Sequence, residues 1–225
     1  LDGRAICHRV CKGQAQFDDI HPGGRKAVQH GLRRGQSDAG ELALCFQLLS
    51  LARAIDQDCA SRLAPLGAAG LLPDQLDALF ITHEHADHIG YAKSFALRTG
   101  KPVWMSRGTA LASQFFDWGL SPSQCQMAFD SQVFDMGCLQ ITPFTVPHDA
   151  REPLQLRCTD GSQHLGILTD LGHGSAHVVQ ALQHCHALLL ECNHDPELLA
   201  QSTYPPFLKK RIAGPQGHLS NIESA

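Results

Sequence analysis

The feature that most constrains this chain is the nonapeptide Thr82-His-Glu-His-Ala-Asp-His-Ile-Gly90, which follows the apolar run Leu79-Phe80-Ile81 directly. Three histidines and two acids fall within six positions, His83 to His88. Side chains alternate along an extended segment, so His83 and His85 point to one side and can converge without a helix. Asp87 and His88 sit where the chain must turn, and their side chains can face a second ion a few Å further on. Imidazole nitrogens and carboxylate oxygens bind Zn²⁺ at about 2.0–2.2 Å, and a catalytic site keeps one position for water. The competing reading is a polar helix start in which Glu84 and Asp87 favour the helix dipole. That suits a single histidine better than HxHxDH after an apolar strand.

Two further candidate ligands stand at the ends of apolar runs. His148 follows Ile141-Thr-Pro-Phe-Thr-Val-Pro147, and Asp170 follows Leu165-Gly-Ile-Leu-Thr169. Taken singly, His148 reads as a surface residue and Asp170 as a turn or cap. Beside the first motif, both can be delivered from a sheet edge to a common cleft. Asp170 suits a bridging role because a carboxylate offers one oxygen to each of two cations.

Around these motifs the chain reads as α/β with substantial antiparallel sheet. Strands are expected at 76–82, 102–105, 132–134, 138–146, 154–158, 164–169 and 187–191, with Asp160-Gly161 as a hairpin signal. Helices are expected near 91–98, 108–118, 175–183, 196–201 and 206–212. Residues 1–60 stand apart: an amphipathic helix fits Glu41–Ile55, and no element is assigned to 1–40. The expected organisation is an atypical segment over 1–60 and a domain over 61–225.

Hydrophobic residues at 43% of 225 permit a well-buried core and exclude general disorder. A formal net charge of −4 argues against coating nucleic acid through bulk positive charge, while leaving room for a local basic patch. Lys209-Lys210-Arg211 is such a patch, readable as a phosphate contact or as a solvated helix face. Nine scattered cysteines without a CxxC pair do not form a disulfide framework and read as free thiols in a reducing cytoplasm. No run reaches the ~18 apolar residues of a membrane span, and no secretion signal is recognisable, so a cytoplasmic location without membrane contact is expected. His164, His173, His177, His184 and His186 read as surface or satisfied residues, and Trp104, Phe115, Phe116 and Trp118 as core.

The series His83-x-His85-x-Asp87-His88, His148, Asp170 resembles the metallo-β-lactamase superfamily. Lys101–Thr109, Val146–Pro153, Leu165–Gly172, Leu188–Leu199 and Tyr204–Asn221 resemble its YycJ/WalJ-type branch, and the likeness spans roughly residues 62–221. The resemblance implies an αβ/βα sandwich with a dinuclear centre at the sheet edges. It also implies a cytoplasmic nuclease acting from the 5′ end of DNA, related to ribonuclease Z. It would hold two divalent ions, Zn²⁺ or Mn²⁺, which lower the pKa of water from 15.7 toward ~7 for in-line attack on phosphorus. Asp87 would orient the nucleophile as well as bind metal. His218 in Gly-Pro-Gln-Gly-His-Leu-Ser-Asn would protonate the leaving oxygen, oriented by Glu191 or His194. Asn221 would join Lys209, Lys210 and Arg211 in holding nucleic acid.

The family pattern also includes a glycine-rich first strand and loop, a strand ending in Asp-Cys-Gly, and a late His-containing motif supplying a last ligand. Asp56-Gln57-Asp58-Cys59 is only a faint echo of the second, so a sandwich incomplete at both ends is expected. A thioesterase or lactamase of the same superfamily, and a non-catalytic remnant with an unpaired sheet edge, are the rival readings. DNA against RNA preference and oligomeric state are left open.

Overall fold

The structure, a computed structural model, describes residues 72–225 and the backbone of 6–11. Strand β1 is Ile6–Cys11, in the region where the sequence reading assigns no element; the expected helix over 41–55 and the segment 56–59 lie outside the described residues. The alternation in Ile-Cys-His-Arg-Val-Cys is too short and too mixed in polarity to stand out without its partner strand.

The chain then runs β2 (Leu79–Phe80), α1 (Ala86–Ile89), α2 (Ala92–Thr99), β3 (Val103–Met105), α3 (Arg107–Ala112), β4 (Cys125–Met127), β5 (Phe134–Met136) and β6 (Leu139–Thr145). It continues with β7 (Leu154–Thr159), β8 (His164–Leu168), α4 (Ala176–Leu182), β9 (Ala187–Cys192), α5 (Pro196–Gln201) and α6 (Pro206–Ile212). A parallel three-stranded sheet has order β2-β3-β4, and a mixed six-stranded sheet has order β1-β9-β8-β7-β6-β5. β1, β9 and β8 are mutually parallel, whereas β7, β6 and β5 join by antiparallel pairing. The edge of β9 that a remnant would leave bare is thus occupied by β1.

Alternation assigns the faces. Leu79 packs with α2 and α3 residues such as Phe95, Ala96 and Ala110, while its neighbour Phe80 turns to the opposite side. There Phe80 meets Ile141, Leu154, Leu156, Leu165 and Ile167 of the larger sheet, forming the core between the two sheets. Leu168 faces the other way and joins Phe144, Val146 and Val178 of α4. The result is four layers, helix, sheet, sheet, helix. At Gly166 an added Cβ would meet Leu182 Cδ2 at 2.5 Å and Leu188 Cδ2 at 2.6 Å, so the missing side chain sets how closely α4 approaches.

Local chemistry ends the elements where polar side chains are available. Ser106 accepts from Thr109 N at 3.0 Å and caps α3; Asp195 accepts from Glu197 N and Leu198 N at 2.9 and 3.0 Å and caps α5. Asp160 Oδ1 accepts from Ser162 N and Gln163 N, and Gly161 takes φ +92° in the expected hairpin turn. The helix expected over 108–118 is broken: α3 ends at Ala112, and Gln114 enters the left-handed region at φ 54° before a single 3₁₀ turn, Phe115–Asp117. That rotation buries Phe115 and Trp118 but leaves Phe116 59% exposed, so Phe116 is not core as expected. Strand β4 had no signal in its sequence, since its three residues are only half-buried. Among the described residues, Cys125 and Cys185 are free thiols. Among the described residues no helix is long and apolar enough to cross a membrane.

Candidate metal centre and adjoining cleft

β2 ends against the gap between the sheets, and Thr82–His85 continues from it into that gap. Thr82, His83 and His88 are buried, and the hydroxyl of Thr82 lies 3.0 Å from His83 Nδ1 and 3.1 Å from His88 Nδ1. A hydroxyl oxygen has two lone pairs, enough to accept both Nδ1–H groups and leave both Nε2 atoms as donors to an ion. His148 enters from the end of β6. Its Nδ1 is 3.0 Å from the carbonyl of Gly217, which can only accept, so Nδ1 carries the proton and Nε2 the lone pair.

His85 is fixed in the same way with the nitrogens reversed. Its Nε2 lies 3.2 Å from the carbonyl oxygen of Asp149, so the lone pair is on Nδ1. Nδ1 in turn lies 2.9 Å from His83 Nε2 and 3.3 Å from His148 Nε2. With His83 Nδ1–H donating to Thr82, three nitrogen lone pairs converge, an arrangement that is repulsive unless a cation stands at the centre. Donors bonded to one ion at about 2.0–2.1 Å stand roughly 3–3.4 Å apart, so this spacing fits a bound metal. Burial, followed by the charges of His88, His148 and His85, drives the His83 pKa far below the ordinary imidazole value against the pull of Asp170. Burial also lowers that of His148, outweighing Asp170 and Gly217. Both imidazoles are therefore held neutral, the form that binds metal.

Asp170, at the end of β8, is 1% exposed and stands between two sets of donors. Its Oδ2 is 3.0 Å from His88 Nε2, and its Oδ1 is 3.4 Å from His218 Nδ1. The donor atoms form three groups that could each hold an ion: His83, His85 and His148; His83, His88 and Asp170; His148, Asp170 and His218. Asp87, on α1, lines the cleft and lies 3.6 Å from His88 Nε2, with its side chain 60% exposed. It belongs to none of the three groups.

Of the two orienters expected for His218, the structure brings up Glu191. Its Oε1 accepts from His218 Nδ1 at 2.7 Å, and its Oε2 from Leu171 N at 2.8 Å. Glu191 is wholly buried at the end of β9. His194 sits behind, bridged by its backbone to Ser220, its pKa lowered by burial and then by the charge of His218. The basic run of α6 splits three ways. Arg211 faces the cleft, Lys209 Nζ donates to the carbonyl of Ala200 at 2.6 Å, and Lys210 lines a neighbouring cleft. Asn221 does not reach the cleft wall; its Oδ1 accepts from Cys192 Sγ at 2.8 Å.

Asp149 was missed by sequence reasoning. Its carboxylate grips Arg211 Nε and stands 3.6 Å from the Nε2 atoms of both His85 and His148. Burial alone would raise its pKa, but the hydrogen bond from Arg211 and the charges of His148 and Arg211 hold it below the usual carboxylate value. Glu84, which only the competing reading gave to the helix dipole, accepts from Arg151 N at 2.8 Å and Thr109 Oγ1 at 3.4 Å, tying the loop after His148 to α3. The cleft so walled has a volume of about 340 Å³ and is lined by His85, Asp87, Asp149, Asp170, Arg211 and His218 among others.

Two sheets between helical layers, with clustered His and Asp donors where strands end, define a metal-binding hydrolase fold. The sequence matches the model of the metallo-beta-lactamase superfamily over residues 48–189, and the chain belongs to that superfamily. It is 32% identical over 155 residues to the exodeoxyribonuclease WalJ of Streptococcus pneumoniae (strain D39), covering 68% of this chain and 58% of that protein. It is 28% identical over 152 residues to the exodeoxyribonuclease YycJ of Bacillus anthracis, with the same coverage. The chain thus spans less than two thirds of the length of these relatives. The metallo-beta-lactamase fold protein YhfI from Bacillus subtilis superposes over 75% of this chain and 65% of its own, at 19% identity and a TM-score of 0.53. The fold implies divalent metal ions, and the donor set described above fits them.

Proposed function

We propose that this protein is a metal-dependent phosphodiesterase acting on nucleic acid, as an exonuclease working from the 5′ end. The observation that carries the reading is the pairing, across one cleft, of a cation held by a carboxylate with a histidine held by another: Arg211 on Asp149, His218 on Glu191. The exonuclease names of the relatives from Streptococcus and Bacillus support it.

His83, His85 and His148 would hold one divalent ion and His88 and Asp170 a second, with Asp170 shared; Asp87, 3.6 Å from His88 Nε2, would join the second as a further ligand. Zn²⁺ is the first choice for this donor set and Mn²⁺ the second. Bound there, such ions supply Lewis acidity toward the phosphoryl oxygens and an activated water. The remaining work falls to side chains. Asp149 takes Arg211 Nε only, and a guanidinium has five N–H donors, so its outer nitrogens can hold the non-bridging oxygens of a phosphodiester. Arg211 Nη2 lies 3.5 Å from His85 Nε2, which puts that clamp beside the donor cluster. Glu191 accepts the proton-bearing Nδ1 of His218, which leaves Nε2 to deliver a proton to the leaving oxygen. Asp87, the most exposed acid of the cleft motif, would orient the attacking water as well as bind metal.

The test is hydrolysis of 5′-phosphorylated DNA and RNA oligonucleotides after chelation and again after metal add-back, comparing the protein with its His85→Ala variant. Metal-restored cleavage by the parent and its loss in the variant are expected. Equal activity in the two proteins would sink the assignment.

A further inference from the structure

A second cleft adjoins the first and shares Asp149, Arg211 and Gly217 with it. Its volume is about 410 Å³, and its other walls are Pro147, His173, Lys210 and the loop 214–216. The walls are locked by two hydrogen bonds to backbone carbonyls: Gly172 N donates to Pro147 O at 2.7 Å, and His173 Nδ1 donates to Pro215 O at 2.7 Å. Gly172 has no room for a side chain, since a Cβ would lie 2.2 Å from Pro215 O. The cleft is therefore preformed. Its one acid, Asp149, is already matched by Arg211, which leaves Lys210 to set the charge an occupant should carry.

The same helix adds a second element. Phe207, Lys210 and Arg211 are spaced i, i+3 and i+4 on α6 and therefore share a face. Phe207 is 74% exposed and stands one turn from two cations. Aromatic faces beside cationic grooves are where bases of a single strand stack while phosphates track the charges.

We infer that α6 and the second cleft form a subsite for the nucleotide next to the scissile phosphate, its phosphate on Lys210 and a base on Phe207. The inference rests on the nucleic-acid reading above and fixes how the strand lies: scissile phosphate at Arg211 and the donor cluster, the next phosphate one residue back along the helix.

The experiment is fluorescence anisotropy of a short single-stranded DNA oligonucleotide with the zinc-loaded protein and its Lys210→Ala and Phe207→Ala variants, over a salt series. Each variant should bind roughly tenfold more weakly. Lys210→Ala should also flatten the log–log salt dependence by about 0.7, the value of one single-strand phosphate, whereas Phe207→Ala should leave the slope alone. Parental affinity in either variant, or an unchanged slope in Lys210→Ala, overturns the subsite. Both residues are on the surface, and matching thermal melts show whether the fold is intact. Turnover of bis(p-nitrophenyl) phosphate, which has no neighbouring phosphate, is measured on the same parent preparation. Its absence refutes the phosphodiesterase reading and leaves the binding result to be judged by itself.

Discussion

At the residue scale, the donor cluster was legible because its chemistry is written locally. HxHxDH places three ligands by alternation and a turn, and His148 and Asp170 each follow an apolar strand. Asp149, Thr82 and the carbonyl of Gly217 were not legible. Each acts on a histidine through a contact whose other half is set by the fold, and Gly217 lies 69 residues from His148. His218 separates ligand from acid. Truncating it to alanine should leave close to two equivalents of metal, measured by mass spectrometry of the protein, and lower kcat by roughly 10²–10⁴-fold. Loss of one equivalent would instead make it a ligand beside His148 and Asp170. His83 and His148 also predict a pH dependence of the metal-free protein. Their folded pKa values lie below the unfolded one near 6.5, so below that pH only the unfolded chain takes up these protons. Stability is then lost as pH falls, at a rate of at most about 1.4 kcal/mol per unit for a group. Urea midpoints between pH 7.5 and 5.5 should decline, and a midpoint that rose on acidification would contradict buried neutral imidazoles.

Elements were read with mixed success for a physical reason. Caps and turn residues such as Ser175, Asp195-Pro196 and Asp160-Gly161 fix ends by local hydrogen bonds, and α5 and α6 fall over the residues expected. The break in the helix after Ala112 is tertiary, because seating Phe115 and Trp118 in the core needs the turn at Gln114. The loop from α6 to His218 is built the same way. An added Cβ at Gly217 would meet the carbonyl oxygens of Arg211 and Ile212 at 2.2 Å each. Backbone cannot yield as a flexible side chain does, so Gly217→Ala should displace the loop and weaken the hydrogen bond that sets the His148 tautomer. We expect about 1–3 kcal/mol of destabilisation together with weaker metal retention. Competition with a chromophoric chelator measures the second effect, and parental retention would show that His148 is oriented without Gly217.

For the whole molecule, the centre is the place where the two sheets are joined by polar chemistry. His83, His85 and His88 follow β2 of the smaller sheet, while His148, Asp170 and Glu191 stand at the ends of β6, β8 and β9 in the larger one. Between the sheets the apolar core holds Phe80, Trp104 and Phe134 against β6–β8, with Trp104 and Phe134 stacked at 3.9 Å. That core packs the layers together through apolar contacts alone. Its weak end is the strand-end gap, where the ring nitrogens of His83, His85 and His148 converge. Metal should therefore act as a clasp on folding itself. An ion at 1,000 times its Kd adds about 4 kcal/mol by mass action, and more if the paired sites fill together. Scanning calorimetry with and without chelator should show a lowered Tm and reversal on zinc add-back. The response should be much reduced in a His85→Ala, His88→Ala double variant, whose ligands to both ions come from the smaller sheet. An equal shift in that variant would mean that the stabilising metal binds elsewhere on the surface and that the strand-end cluster does not join the sheets.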